Sequence, residues 1–142
     1  MTVADCNRLQ VVQNNVMRIL TGARMRTSTK DLLAETKSLS VHQMIAYTTL
    51  MMVFNVMEYG KPEYLAKKLH YAKNSGHEEG GRGGLKLRVP DYSLDISRAG
   101  FLYRGARLFN MLPRILREEK KRGLFKTGLR KWITNNVSIR PG

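Results

Sequence analysis

Apolar residues along this chain recur mostly at helical intervals, and Gly, Pro and Ser break the pattern into separate elements. From Asp5 to Thr21, the residues Leu9, Val12, Val16 and Ile19 fall at steps of three, four and three. That spacing predicts one helix with a single apolar stripe facing the core, stopped by Gly22. Asn7, Gln13, Asn14 and Arg18 take the wet side. Ser28 and Asp31 have the spacing of a helix start and predict a short helix over Thr29–Glu35. Ser40 and Gln43 form a capping box, with Leu39 and Met44 spaced as a hydrophobic staple. The helix that follows runs to about Tyr59 and stops at Gly60. It is apolar around most of its circumference (Val41, Met44, Ile45, Leu50, Met51, Met52, Val53, Phe54, Val56, Met57), which predicts a central, buried element whose methionines fill the core.

Pro62 opens a further short helix, expected over Pro62–His70. Residues 74–84 carry five glycines and read as a flexible loop. They lack the Gly-Lys-Ser/Thr ending of a phosphate-cradling loop, and the Arg82-Gly83-Gly84 triplet is read as linker. Leu85, Leu87 and Val89 alternate with Lys86 and Arg88, so the pattern allows at most one short strand pair. Asp91 to Ser97 reads as turn or extended chain. Helical spacing returns over Arg98–Asn110, where Leu102, Ala106 and Phe109 form a stripe, although Gly100 and Gly105 weaken it. Pro113 opens a short helix to Glu119. A last helix, preceded by Gly123 or Arg122 and ending near Asn135, presents Phe125, Leu129, Trp132 and Ile133 on one face. The expected fold is therefore all-α: a single small domain over 1–142 with five to seven helices, grouped as 5–70 and 98–135 around the loop at 74–84.

Charge changes this picture in the last third. Of the chain's +14 formal charge, residues 98–142 hold ten units, from twelve Lys or Arg against Glu118 and Glu119. An apolar skeleton runs through the same stretch, which a disordered basic tail would lack. The combination predicts a folded cationic surface of the kind that meets a polyanion, most often nucleic acid. The candidate contacts are Arg104, Arg107, Arg114, Arg117, Lys120, Lys121, Arg122, Lys126, Arg130 and Lys131, with Tyr103 or Tyr92 able to stack on single-stranded bases. Phe109, Phe125 and Trp132 are read as core anchors.

Little else in the chain carries chemistry. His42, His70 and His77 are scattered, and His70 and His77 are seven apart, which is not a helical metal pair. His42, at a helix start, is expected to face solvent. Asp31/Glu35 and Glu118/Glu119 are read as helix-surface charges. The lone Cys6 allows neither an internal disulfide nor a cysteine zinc site. No catalytic residue, metal or cofactor is expected, and the chain is not read as an enzyme. Asp5, Asn7, Arg8 and Gln10 fall where a signal peptide needs apolar residues, and no apolar run reaches membrane-spanning length. An intracellular location, nuclear or cytoplasmic, follows as the expectation. Peripheral membrane binding by the cationic helix 123–135 is disfavoured by its short length and by the packing expected of Phe125.

The order of several short motifs resembles the C-terminal, post-polymerase region of reverse transcriptases from LINE-type (non-LTR) retrotransposons of the jockey-like group. Leu9-Gln10 with Arg18-Ile19, Ser40-Val41, and Pro62-Glu63-Tyr64-Leu65 are similar in turn to the family's first helix, a later helix start and a Pro-x-Tyr-Leu. Phe109-Asn110-Met111-Leu112-Pro113 resembles its Trp-Asn-x-Leu-Pro, with Phe in place of Trp. Phe125-Lys126, with Leu129 and Trp132, resembles its Phe-Lys block, while the preceding serine-rich turn is here Lys120-Lys121-Arg122-Gly123. The resemblance covers about Leu9 to Ile133. It implies an accessory domain standing without the family's polymerase aspartates, endonuclease or zinc knuckle. The function expected is non-catalytic RNA or DNA binding. The alternative is a protein-interaction or self-associating module, whose partner would be a reverse transcriptase polymerase domain or a second copy.

Overall fold

The computed structural model describes residues 2–69, 86, 87, 89 and 100–141. These form seven helices: α1 (Val3–Thr21), α2 (Thr29–Thr36), α3 (Val41–Tyr59), α4 (Glu63–Ala66), α5 (Phe101–Met111), α6 (Arg114–Glu118) and α7 (Arg122–Asn136). The protein is all-α, as the periodicity predicts. The glycine-rich stretch 74–84, His70, His77 and Tyr92 lie outside the described residues. By internal packing the chain forms two compact units, Met1–Ala46 with Trp132–Gly142, and Tyr47–Lys131.

The helix ends follow the local signals closely. In α1 the Thr2 hydroxyl accepts from the Asp5 N–H at 3.1 Å, and the Thr2 hydroxyl and N–H both donate to the Asp5 carboxylate. Those two bonds, the hydroxyl's first, hold the Asp5 carboxyl below its ordinary pKa. Ser28 caps α2 through the Asp31 N–H. Gly22 and Gly60 end α1 and α3 with φ of 68° and 64°, the left-handed conformation that glycine adopts without a Cβ clash. Pro62 is the N-cap of α4, which is shorter than the Pro62–His70 expected.

In the first unit, α1 packs the side of itself that the sequence assigns to water. Cys6, Gln10, Asn14 and Met17 are buried, whereas Leu9, Val12, Val16 and Ile19 are exposed. The reason is hydrogen bonding. Helix starts and inter-helix turns converge on this face, and their unpaired backbone groups need polar partners that an apolar stripe cannot supply. Gln10 Oε1 accepts from the Val41 N–H at 2.9 Å, and Gln10 Nε2 donates to Asn14 Oδ1 and Gln13 Oε1. Gln13 Nε2 donates to the Leu39 carbonyl and Asn14 Nδ2 to Thr29 Oγ1. The capping box at Ser40 and Gln43 is formed in both directions. Gln43 Nε2 also donates to the Val137 carbonyl, and His42 Nδ1, 3.0 Å from the Ser138 carbonyl, donates there and is not simply solvent-facing. Met17, Leu32 and Leu33, with Ala23 and Ile139 against them, make the apolar part of this unit.

The second unit has an apolar core. Leu50, Val53 and Phe54 of α3, Ala106 and Phe109 of α5, Leu112, and Phe125 and Leu129 of α7 are all buried. Phe54 and Phe125 stack at 4.5 Å between centroids, and Tyr59 meets Phe54 edge-on. Gly105, unfavourable to a helix on propensity alone, is explained by a close approach: a Cβ there would lie 2.9 Å from Val53 Cγ2. Val53 is fully buried and β-branched, so it cannot swing away. Gly105→Ala is therefore expected to destabilise by about 1–2 kcal/mol, because overpacking outweighs the gain in helix propensity. Gly128 provides the contrast. A Cβ there would lie 2.6 Å from Leu116 Cδ2, closer still, but that atom is the end of a half-buried side chain that can turn aside. Gly128→Ala is expected to be neutral or stabilising by up to about 1 kcal/mol. Parallel urea titrations of the two variants check the pair, and equal effects would contradict the packing described for Val53.

Candidate nucleic-acid interface

All ten sequence-predicted cations fall within the second unit. Arg104 and Arg107 stand on α5, Arg114 and Arg117 on α6, Lys120 and Lys121 between α6 and α7, and Arg122, Lys126, Arg130 and Lys131 on α7. Nine are exposed. Arg117 is the exception at 9% exposure, so it belongs to the packing of α6 and not to the cationic surface.

The apolar ridge of α7 determines where its charges sit. Phe125, Leu129 and Ile133 follow one another at intervals of four and are fully buried. Arg122, Lys126 and Arg130 follow at the same interval. They therefore form a second row about 100° round the helix, each about 6 Å along the axis from the last. The burial of one row fixes the exposure of the other. Lys120 and Lys121 extend the positive charge past the N-terminus of α7, where the helix macrodipole is also positive. Glu119 moderates that end, accepting from the Lys121 N–H at 2.9 Å.

Arg107 and Arg114 have side-chain partners on their own helices. Arg114 Nε lies 2.7 Å from Glu118 Oε1, an exposed pair of the kind that contributes little to stability. Arg107 donates to the Tyr103 hydroxyl at 3.1 Å, and its guanidinium lies over the Tyr103 ring, 5.4 Å from the centroid. A base stacking on Tyr103 would have to share or displace that guanidinium. Met111, Ile115 and Leu124 are exposed in the same sequence stretch, so apolar side chains stand among the cations.

The motif residues of this stretch have identifiable packing roles. Asn110 Oδ1 accepts from the Leu87 N–H at 2.7 Å and Asn110 Nδ2 donates to the Leu87 carbonyl at 2.9 Å. One side-chain amide thus pairs both backbone groups of Leu87, as a neighbouring strand would. Leu87, Phe109 and Leu112 are buried, and Asn110 itself is half-buried. Among the described residues there is no group of three or more His, Cys, Asp or Glu able to hold a metal ion, and no helix long and apolar enough to cross a membrane.

No protein-family model, curated protein or solved structure matches the chain. The resemblance to retroelement reverse transcriptases rests on its motif residues.

The sequence did not single out one further surface. The exposed stripe of α1 was assigned to the core, because periodicity identifies a face without saying which way it points. Gln10, Gln13 and Asn14, three amides at i, i+3 and i+4, were the available sign that the opposite face had backbone groups to satisfy.

Proposed function

We propose that the exposed basic surface of the second unit holds RNA or DNA by its phosphates, and that the chain is a non-catalytic accessory domain resembling the C-terminal region of a LINE-type reverse transcriptase. The observation that carries this reading is the row Arg122, Lys126 and Arg130. It runs along α7 beside a fully buried ridge and is continued by Lys120 and Lys121. Such a row neutralises successive phosphates and releases their counterions, which favours binding without reading sequence.

The test is a salt titration of binding to single-stranded RNA, duplex DNA and an RNA–DNA hybrid. Affinity is expected to fall steeply with salt for at least one of them. Lys120→Gln, Lys121→Gln and Arg122→Gln together are expected to reduce the log–log slope by about 2–3 and to weaken binding about a hundredfold at 0.1 M salt. Lys30→Gln, in the first unit, should change little. A flat salt dependence, or a triple variant that binds like the parent, would overturn the proposal.

A further inference from the structure

Surface turns are usually built from small or polar residues. The turn between α1 and α2 is not. Met25, at its tip, is 86% exposed, and Ile19 and Leu20, at the end of α1, are 81% and 75% exposed. Exposed Arg24 and Arg26 flank Met25, and exposed Lys30 follows in α2. Large aliphatic side chains and cations thus share one short stretch at one end of the first unit.

The turn is held in shape from within. The Thr27 N–H donates to the Arg24 carbonyl at 3.0 Å, closing a four-residue turn with Met25 and Arg26 at its centre. From α1, Arg18 Nη2 donates to the Thr27 carbonyl at 3.2 Å. Ala23 packs against the cluster of Met17, Leu32 and Leu33, so the chain leading into the turn is fixed as well. Met25 is therefore displayed by a preformed turn, and ordering it costs little on binding.

The composition identifies the partner. Between Asp5 and Asp31 the chain carries Arg8, Arg18, Arg24, Arg26 and Lys30 and no acid, which selects an anionic surface. Residues 1–41 hold no Phe, Trp, Tyr or His, so this stretch offers no ring on which a base can stack. A phosphate backbone alone would leave Ile19, Leu20 and Met25 against charge. An anionic bilayer suits both kinds of side chain: the aliphatic groups enter the acyl boundary, and the arginines stay with the headgroup phosphates. Met25, unbranched and flexible, fits an irregular acyl environment. We infer that the α1–α2 turn docks the first unit on the surface of an anionic phospholipid bilayer. This does not depend on the nucleic-acid reading, whose cations belong to the second unit.

The experiment is co-sedimentation of the full chain, free of nucleic acid, with vesicles of phosphatidylcholine alone or with about one third phosphatidylserine. The basic surface of the second unit also attracts anionic vesicles, so every comparison is made in the Lys120→Gln, Lys121→Gln, Arg122→Gln background. Binding is expected to the anionic vesicles and not to the neutral ones. Ile19→Ser with Met25→Ser, both at exposed positions, is expected to weaken it at least about tenfold while leaving the helical circular dichroism unchanged. Arg24→Gln with Arg26→Gln should weaken it by a similar factor at low salt. Insertion has its own readout. Met25→Cys labelled with an environment-sensitive dye, the buried Cys6 left unlabelled, should shift its emission to the blue on anionic vesicles. Equal binding to both vesicles, undiminished binding of the double-Ser variant, or an unshifted dye would overturn the inference. So would a loss of RNA affinity in Arg24→Gln with Arg26→Gln while the vesicles stay unbound, which would make the turn a nucleic-acid contact.

Discussion

Phe125→Ala is expected to lower the stability of the second unit by about 3–5 kcal/mol, the largest effect of any single change considered for this chain. Phe125 is fully buried, and its ring stacks on Phe54 at 4.5 Å with an interplanar angle of 18°. Truncation removes the transfer free energy of a whole ring, and the two long helices that present these rings cannot collapse to fill the space. It also removes an aromatic pair contributing about 1 kcal/mol beyond its buried area. Domains of this size have only about 5–15 kcal/mol in hand, so the variant should sit near its unfolding midpoint at moderate urea. Phe125→Leu keeps most of the volume and should cost less than half as much. Urea titration followed by far-ultraviolet circular dichroism checks both. A loss below about 1 kcal/mol for the alanine variant would mean that this stack does not hold α7 in place.

The second large effect is polar. Gln10 is 1% exposed, and its side-chain amide serves Val41, Asn14 and Gln13 at once. Gln10→Leu keeps the approximate volume but leaves the Val41 N–H and Asn14 Oδ1 without that partner. Each buried group so abandoned costs about 1–3 kcal/mol, and together a loss of about 2–4 kcal/mol is expected. A hydrophobicity argument predicts the opposite sign, since leucine is the more apolar residue at a buried position. Thermal unfolding of Gln10→Leu therefore decides between the two accounts. An unchanged or raised Tm would mean that water or a shifted backbone satisfies Val41 and Asn14, and that the amide network does not specify the first unit. Val12→Leu, on the exposed face of the same helix, should leave the Tm of the monomer nearly unchanged.

What was legible in the sequence was mainly local. Ser28, Ser40 with Gln43, Gly22 and Gly60 act on their own neighbours, and each marks a helix end where it was read. The start of α1 at Thr2 rests on the same kind of signal, a Thr and an Asp three apart, and lies ahead of the Asp5 start that the apolar spacing suggests. The orientation of α1 was not legible. It depends on partners 15 to 31 residues away, Thr29, Leu39 and Val41, whose need for amides appears only once the chain is folded. The candidate interface was legible in composition but not in detail. Lys126 and Arg130 are exposed because Phe125 and Leu129 beside them are buried, which the spacing already implied. Arg117 is buried although the short α6 carries too few residues to reveal a face. In the sequence Asn110 stands out only as part of a motif, because its bonds to Leu87 span 23 positions.

The make-up of the first unit also bears on the order in which the chain matures. Residues 1–46 share that unit with residues 132–142, and Val137, Ser138 and Ile139 complete the bonds of Gln43 and His42 and the apolar cluster around Met17. During synthesis every residue of the second unit is added between those two pieces. The helices of residues 1–46 must therefore wait for partners made only after the intervening unit, which can already begin to pack.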